Sequence, residues 1–536
     1  MSNKKSKSLE IPVAVENFAE ANSFIGGRLK RNNISKEIRQ ETHLIFESLF
    51  HNMLAQGFDQ DTILKIKIQK SFGEINIKLG FEGQQFVLDS NAGGSLTPEE
   101  SILQAYSDKL EHSYQSGYNL INIKVHKSFL NTLLLGFSAI IFAILVYIPI
   151  SICMSPEMQL KLADNIVFPL VKMFSNAMLM IGAPVTFFSF LNNFTDIHIL
   201  SSRNSEGSKL QAKTIITSVV AILLAIVAGF IIAAILNAQL GNISLASGLD
   251  PVPSVGELIE SLVPPSIFTP FETIMPFPLI IVALIVAYAF CTVGKYFNKM
   301  KKAVDACYTL FSRMLHIVMY AFPFYCFLAL LYPMLESGFS ILLSYLYIIL
   351  LSLLSLVLLI VFYLLRLICG GVKLKPFLKH LPALLRENYK IGSAIDAVPF
   401  NVRYCTRNYG MDRKRITNKF AILAQINLDG NCYLIMLISM LFIFMMVSRA
   451  SWFHILVIAI MVLFLSFGAP NQPGSILIGA LIIALFLKAD ALIPTALILE
   501  AFFGVTQNLI NVTGDVITVA IEEKYVWKGQ NSGVAK

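Results

Sequence analysis

Two clusters of polar residues interrupt otherwise apolar stretches in the C-terminal part of the chain. The first contains Asn427 and Asp429, and the second contains Asn511 and Asp515; each also includes a glycine. A carboxylate buried among apolar helices is costly without a partner, and no Lys or Arg lies within a helical turn or two of either cluster along the sequence. Asn and Asp oxygens, with carbonyls freed by glycine, form the hard oxygen cage that suits Na⁺. The clusters therefore predict a cation site; the alternative is that they only hydrogen-bond helices to one another.

The segments that contain these clusters are predicted to be membrane helices. Of the 536 residues, 55% are hydrophobic and only 14% are charged, whereas a soluble domain is about 25% charged. Apolar runs predict spans near 128–152, 164–192, 213–237, 272–294, 304–333, 338–369, 420–447 and 491–521. Each approaches or exceeds the roughly 20 residues that cross a bilayer. The chain is therefore expected to be a polytopic membrane protein.

Two further apolar segments, 376–410 and 451–482, are interrupted by small and polar residues. Such a pair, at corresponding positions of two halves, is typical of re-entrant or broken helices around a binding site near the bilayer midplane. Irregular backbone at that depth is tolerated only where protein buries it or where it lines a cavity.

The positive charge of the chain follows its predicted topology. The net charge is +8, and Lys and Arg concentrate in the alternate loops 203–213, 295–302 and 366–419. This is the positive-inside pattern, which predicts a multi-pass protein of the inner (plasma) membrane with cytoplasmic N- and C-termini. The opening MSNKKSKSLE leads into no apolar segment of a signal peptide, in agreement with a cytoplasmic N-terminus. The distribution argues against nucleic acid as a partner.

Four motifs resemble the dicarboxylate/amino acid:cation symporter family, which has the glutamate-transporter fold. They are FPLVKM…GAPVTFFSF at 168–190, QINLDGN at 425–431, SFGAPNQPGS at 466–475 and NVTGD at 511–515. They resemble, in order, the family's second helix, the break in its seventh helix, the tip of its second hairpin and its eighth helix. The resemblance covers 128–524 and leaves 525–536 as a cytoplasmic tail. It implies a mostly α membrane protein with eight transmembrane helices and two re-entrant helical hairpins, a homotrimer and elevator-type alternating access.

The resemblance also implies roles for individual residues, with Na⁺ or H⁺ as the coupling ion. Asn427, Asn511 and Asp515 would build one sodium site and Asp429 another, with backbone near Ser466, Phe467 and Ala469 forming a third. The residues expected to contact the substrate are Ser393, Asp396, Asn471, Gly474, Glu500, Gln507, Asn508 and Asn511.

The chain departs from the family where acidic substrates are bound. Members of the family bind a side-chain carboxylate with an Arg, and Gln507 occupies that position here. They bind the α-amino group with an Asp, and Gly504 occupies that position. An acidic side chain would be desolvated here without a counter-charge. A neutral or zwitterionic solute, such as an amino acid, is therefore expected. Asp396 and Glu500 either bind an amino group, or Asp396 caps a helix and Glu500 is a structural acid.

Residues 1–127 are expected to form a small soluble α/β domain. Helical spacing predicts a helix over 35–56, period-two alternation predicts strands at 64–68, 75–79 and 120–125, and a second helix is expected over 97–116. The domain weakly resembles the ATP-binding domains of histidine kinases and anti-sigma factors, at the positions Glu47, Asn52, Gly83 and Phe86. Phe81 stands where that family has the Asp that reads adenine, so ATP binding is doubtful and a degenerate regulatory domain is expected.

Two functions remain open. The first is a symporter of a small organic solute, and the second is a membrane sensor that binds solute and signals through the N-terminal domain. Retention of the cation residues favours transport, because a pure sensor needs no coupling ion. No GxxxxGK[ST] loop occurs in the sequence, which argues against an ATP-driven pump, and no enzymatic activity is expected.

Overall fold

The computed structural model describes residues 8–32, 34, 36–58, 61–71, 74–87, 103, 110–115, 117–125, 130–203, 205–240, 254–274, 276–395, 397–445, 452–469 and 474–523. The chain divides into two compact units, Met1–Ser128 and Phe129–Lys536.

The N-terminal unit is an antiparallel sheet with two helices. The strands are β1 Ser8–Pro12, β2 Ile63–Ser71, β3 Glu74–Glu82, β4 Leu110–Gln115 and β5 Tyr118–Val125, and the helices are α1 Phe18–Arg31 and α2 Lys36–Ala55. The sheet order is β1-β2-β3-β5-β4. Alternate strand residues are buried, among them Leu64, Ile66, Ile77, Leu79, Ile121 and Ile123, and they share one hydrophobic core with residues of both helices. The period-two pattern of the sequence is thus the pattern of a sheet with one covered face.

The predicted helix over 97–116 is wrong at its C-terminal end, over 110–115, although Leu103 is helical. Residues Leu110–Gln115 form strand β4, which pairs with β5 in a hairpin. Gly117 has a φ of +81° and provides the turn. Only Leu110 of this edge strand is buried, so its sequence carries almost no alternation to distinguish it from a helix. Apart from Leu103, residues 97–109 lie outside the described part of the chain.

All regular secondary structure described in the membrane unit is helical. Its helices are α3 Leu130–Cys153, α4 Pro156–Leu162, α5 Phe168–Arg203, α6 Ser205–Leu240, α7 Val255–Ser261, α8 Thr269–Thr273, α9 Pro276–Thr292, α10 Phe297–Met319, α11 Phe322–Ser337, α12 Ser340–Cys369, α13 Leu374–Ile391, α14 Val398–Tyr409, α15 Arg413–Ile426, α16 Asp429–Met445, α17 Trp452–Gly468, α18 Ser475–Phe486, α19 Ile493–Phe503 and α20 Thr506–Glu522.

Several of these helices are long and apolar enough to cross a membrane. Within the described residues they are Leu135–Cys153, Pro156–Thr195, Lys209–Leu236, Ser340–Cys369 and Arg415–Met445, and the total rises to seven if the bent pairs α10–α11 and α19–α20 each count as one span. The remaining predicted span corresponds to the 17-residue helix α9. The total of eight spans therefore stays a prediction, whereas a bundle of several apolar helices is observed.

Burial separates peripheral helices from central ones. Only 17% of the most apolar stretch of α3 is buried, against 94% of that in α15–α16. The exposed side chains of α3 include Ile141, Phe142 and Leu145. An apolar surface of this kind requires lipid rather than water around it. Helices α16, α18, α19 and α20 are buried on nearly all sides and form the centre of the unit.

Helices α13 and α14 fold back on each other. The side chain of Asn388 donates to Asn401 Oδ1 at 2.7 Å, Tyr404 OH donates to the His380 carbonyl, and Tyr409 OH donates to the carbonyl of Phe377. The partners run in opposite order along the two helices, so the pair is a helical hairpin. Gly392, with a φ of +75°, ends α13 and allows the reversal. Whether this hairpin re-enters the membrane from one side stays a prediction.

Candidate cation and solute site

Two interruptions of central helices create the site. Helix α15 ends at Ile426, Asn427 is extended with φ −86° and ψ 101°, and α16 begins at Asp429. Helices α19 and α20 are bent by 49° relative to each other. Such breaks bring backbone polar groups and helix ends into an apolar interior, where they are tolerated because other polar groups bind them.

Asp429 accepts hydrogen bonds from three hydroxyl groups on two other helices. Thr217 Oγ1 and Ser218 Oγ, on α6, each lie 3.0 Å from Asp429 Oδ1. Tyr363 OH, on α12, lies 3.1 Å from Oδ2. The carboxylate is fully buried and stands in the first turn of α16, where the helix dipole favours a negative charge.

Asn427 joins the two clusters that the sequence singled out. Its Nδ2 donates to Asp515 Oδ1 at 2.8 Å and to the Asn511 carbonyl at 2.9 Å. Its Oδ1 is buried and has no hydrogen-bond partner among the described residues. A buried amide oxygen normally has a donor or a cation beside it. The two carboxylates, the amides and this unsatisfied oxygen make a donor set that fits Na⁺.

Close packing at two glycines holds the clusters together. A Cβ on Gly430 would stand 2.3 Å from the Gln507 carbonyl oxygen of α20. A Cβ on Gly514 would stand 2.6 Å from Asn427 Nδ2 and 3.0 Å from Tyr363 OH. Only glycine permits this approach of α16 to α20.

A chain of hydrogen bonds leads from the cation residues to Gln507. The backbone N–H of Gly430 donates to Asn511 Oδ1, and Asn511 Nδ2 donates to Asn431 Oδ1. Asn431 Nδ2 lies 3.4 Å from Ser475 Oγ, which donates to Gln507 Oε1 at 2.9 Å. All of these side chains are buried. One polar network thus connects Gln507 with Asn427, Asn511 and Asp515.

Glu500 belongs to α19, and its side chain lies at the N-terminus of α18. Its Oε1 accepts a hydrogen bond from the backbone N–H of Gly474 at 2.9 Å, and its Oε2 accepts one from Leu477 at 3.0 Å. The side chain is fully buried. The carboxylate therefore caps the N-terminus of α18, where unsatisfied N–H groups and the helix dipole favour a negative charge. Of the two readings of Glu500, this geometry favours the structural acid.

The other predicted solute residues are distributed around the same centre. Asn508 is buried and donates to the Gly392 carbonyl at the turn of the α13–α14 hairpin, at 2.6 Å. Ser393 lies half-buried in that turn, where its carbonyl accepts from the backbone N–H of Ala397. Asp396 and Asn471 lie outside the described residues.

The backbone predicted for a third sodium site is already engaged with α5. Asn193 Nδ2 donates to the Phe467 carbonyl at 2.9 Å, and Ser189 Oγ approaches the Ala469 carbonyl at 3.4 Å. Ser466, the other predicted residue of this group, is buried on α17. Each of these carbonyl oxygens has a second lone pair, so the third sodium site stays a prediction.

The sequence analysis missed several residues that complete the cluster. They are Thr217 and Ser218 of α6, Tyr363 and Arg366 of α12, and Asn431 of α16. The run TIITS at 214–218, polar within an apolar helix, was a usable signal for the first two. Although no basic residue lies near Asp429 along the sequence, the fold places the Arg366 guanidinium over the ring of Tyr363, whose hydroxyl donates to Asp429 Oδ2.

In the N-terminal unit, two of the residues compared with ATP-binding domains, Phe81 and Phe86, pack in an aromatic core, whereas Glu47 and Gly83 are exposed. The Phe81 ring lies edge-on to Phe58 and Phe86, with centroids 5.0 and 5.9 Å away, and is 1% exposed. Asn52 is buried and accepts from Gln56 Nε2 at 3.0 Å. The position compared with the adenine-reading Asp is thus part of the core.

A bundle of apolar helices whose breaks meet around buried carboxylates and amides is the architecture of a membrane transporter. The chain belongs to the sodium:dicarboxylate symporter family, whose sequence profile matches residues 128–525. The resemblance inferred from the four motifs is therefore confirmed for the membrane unit, and the protein is an integral membrane protein. No curated protein matches the chain. The resemblance of the N-terminal unit to ATP-binding domains stays a prediction.

Proposed function

We propose that the protein is a secondary active symporter that couples Na⁺ or H⁺ to the uptake of a small neutral or zwitterionic solute, with an amino acid favoured. The observation that carries the proposal is the buried hydrogen-bond network from Asp515 to Gln507, which includes the backbone N–H of Gly430, next to Asp429 in the chain. Coupling requires that cation binding changes the affinity for solute, and groups that share hydrogen bonds are suited to this.

The charges around the solute residues support the choice of substrate. Gln507 is neutral, and its Oε1 accepts from Ser475. Glu500, which is also predicted to bind solute, accepts hydrogen bonds from the backbone N–H groups of Gly474 and Leu477. A second carboxylate on a solute finds no cationic partner among the described residues predicted to bind solute. A dicarboxylate would therefore pay a desolvation cost that a neutral side chain avoids.

Family membership supports the remaining parts of the proposal. They are eight spans with two re-entrant hairpins, a homotrimer, elevator-type alternating access, location in the inner (plasma) membrane, and cytoplasmic termini. Each is testable separately, by crosslinking for the trimer and by cysteine accessibility for the topology.

A membrane sensor is the second candidate. The observation in its favour is the N-terminal unit, which has a hydrophobic core of its own and is outside the family match. In that case solute binding at the membrane unit would be read by a partner of the N-terminal unit rather than used for transport.

Uptake into proteoliposomes distinguishes the two candidates. The purified full chain would be given labelled neutral and acidic amino acids under an inward Na⁺ gradient, an inward H⁺ gradient, or neither. We expect concentrative uptake of a neutral amino acid only with a cation gradient. Solute binding without uptake under any gradient would refute transport and favour the sensor.

A further inference from the structure

Arg366 is the only charged residue in the 30-residue helix α12, and its contacts are with the cation cluster. Its Nη2 donates to Thr518 Oγ1 at 2.9 Å. Thr518 stands one helical turn after Asp515, on the same side of α20. Through Thr518, the guanidinium is fixed on the helix that carries one of the two carboxylates.

The same guanidinium is connected to the second carboxylate through Tyr363. It lies over the Tyr363 ring, 5.9 Å from the centroid, and the Tyr363 hydroxyl donates to Asp429 Oδ2 at 3.1 Å. Arg366 Nη1 is buried and has no hydrogen-bond partner among the described residues. No described carboxylate forms a salt bridge with Arg366. The positive charge therefore adjoins the cluster without being consumed by a direct ion pair.

We propose that Arg366 is a resident counter-cation of the Asp429–Asp515 cluster, which offsets part of the negative charge that a coupling cation would otherwise neutralise. The inference rests on the proposed symport and concerns how its coupling cations are bound. A fixed positive charge near the two acids lowers their attraction for Na⁺, because charge interactions are weakly screened in a protein interior. Less positive charge from Na⁺ is therefore needed to neutralise the cluster than the two carboxylates alone would require.

The alternative is that Arg366 only anchors α12 at the membrane interface. It lies in the last turn of α12, and positive residues are common at membrane boundaries. An anchor would extend its head group to lipid or water. The bond to Thr518 on a central helix and the buried Nη1 argue instead for a role inside the bundle.

The test is the Na⁺ dependence of thermal stability for the full chain in detergent. NaCl replaces N-methylglucamine chloride at constant ionic strength, and no solute is present. We expect Arg366→Met to reach half-maximal stabilisation at about tenfold lower Na⁺ than wild type, because one opposing charge is gone. Arg366→Lys, which keeps the charge, should stay close to wild type. Asp429→Asn in the Arg366→Met background should reverse the gain.

Thr518→Val provides a second, milder variant, since it removes the hydrogen bond that positions the guanidinium and leaves the charge in place. It should shift the Na⁺ midpoint in the same direction by a smaller factor. An unchanged or higher Na⁺ midpoint in both Arg366→Met and Thr518→Val would overturn the inference. The absence of a Na⁺ response in Arg366→Met, when wild type shows none either, would overturn it as well. The symport proposal is tested separately, because its failure would appear as the absence of gradient-driven uptake by wild type in proteoliposomes.

Discussion

Asp429 and Asp515 are the residues on which the proposed cation binding depends. Both are buried, and both accept hydrogen bonds from neutral side chains, hydroxyl groups for Asp429 and the Asn427 amide for Asp515. Neutral donors stabilise a carboxylate without removing its charge. The charge therefore stays available to a cation that enters the cluster.

Replacing either carboxylate by its amide should weaken Na⁺ binding while the protein still inserts and folds. We expect Asp429→Asn and Asp515→Asn each to raise the Na⁺ concentration for half-maximal solute binding by tenfold or more, which corresponds to at least about 1.4 kcal/mol. Scintillation proximity binding across an Na⁺ series would measure this.

The matched control is Asp490→Asn. Asp490 is half-exposed and pairs with Lys172 at 2.5 Å, away from the cluster. It should leave the Na⁺ midpoint unchanged. Wild-type sodium dependence in both Asp429→Asn and Asp515→Asn would show that the cluster does not bind the coupling ion.

Gln507 is the residue expected to set solute charge. Arginine at this position would place a cation beside the hydrogen-bonding group of Ser475, so Gln507→Arg should improve recognition of acidic amino acids relative to neutral ones. Competition binding in Na⁺ buffer, with aspartate and glutamate against a panel of neutral amino acids, would measure the change. A site built for a particular polar group can discriminate strongly against a mismatched ligand.

Gln507→Leu is the control for this change, because it removes the hydrogen bonds without adding charge and should bring no gain for acidic solutes. If wild-type protein bound aspartate or glutamate more tightly than every neutral candidate, the electrostatic argument from Gln507 would have to be abandoned.

At the scale of elements, Glu500 connects α19 to the N-terminus of α18. A carboxylate that accepts two backbone N–H groups is a strong cap, since both hydrogen bonds are charge-assisted. Glu500→Gln keeps one acceptor and turns an N–H₂ group toward an N–H donor. We expect a loss of about 1–3 kcal/mol of stability, measured as a lower melting temperature of the membrane unit in detergent.

Glu336→Gln is the comparison for that prediction. Glu336 accepts a hydrogen bond from Tyr332 on its own helix α11 and is partly exposed, so its amide should change the melting temperature much less. Equal effects of the two substitutions on the melting temperature would mean that capping of α18 by Glu500 does not contribute specifically to stability.

The sequence predicted elements better than it predicted contacts between them. The length of an apolar run indicates a membrane helix directly, so the apolar runs correspond to described helices. The breaks at Asn427 and Gly392 follow from the polar and glycine residues of the sequence. Thr217 and Ser218 meet Asp429 across more than 200 residues of chain. Nothing in local pattern encodes that meeting, because it depends on how α6 packs against α16.

At the scale of the whole molecule, the chain combines a family membrane unit with a separate N-terminal unit. The match to the sodium:dicarboxylate symporter family begins at residue 128, where the first compact unit ends. The core of the N-terminal unit contains only its own residues, from Ile11 to Val125. Each unit therefore has the hydrophobic core that independent folding requires.

Deletion of residues 1–127 should leave a membrane unit that folds and binds solute with the same Na⁺ dependence as the full chain. The reason is that the cation cluster and every described residue predicted to bind solute lie after residue 390 or on α6 and α12. Size-exclusion profiles and Na⁺-dependent binding of the shortened chain would test this. Aggregation of the 128–536 chain in conditions where the full chain is stable would contradict it.

The isolated 1–127 unit should bind ATP weakly or not at all. The Phe81 side chain fills the position of the adenine-reading Asp with an aromatic ring packed between Phe58 and Phe86, and a ring in a closed core offers adenine no hydrogen-bond acceptor. Calorimetric titration of this unit with Mg²⁺-ATP would show no saturable heat at micromolar nucleotide. Asn52→Ala serves as the internal comparison. If wild type bound ATP at micromolar concentration and Asn52→Ala abolished that binding, the unit would be a nucleotide-binding domain despite Phe81, and nucleotide control of the membrane unit would become the regulation to investigate.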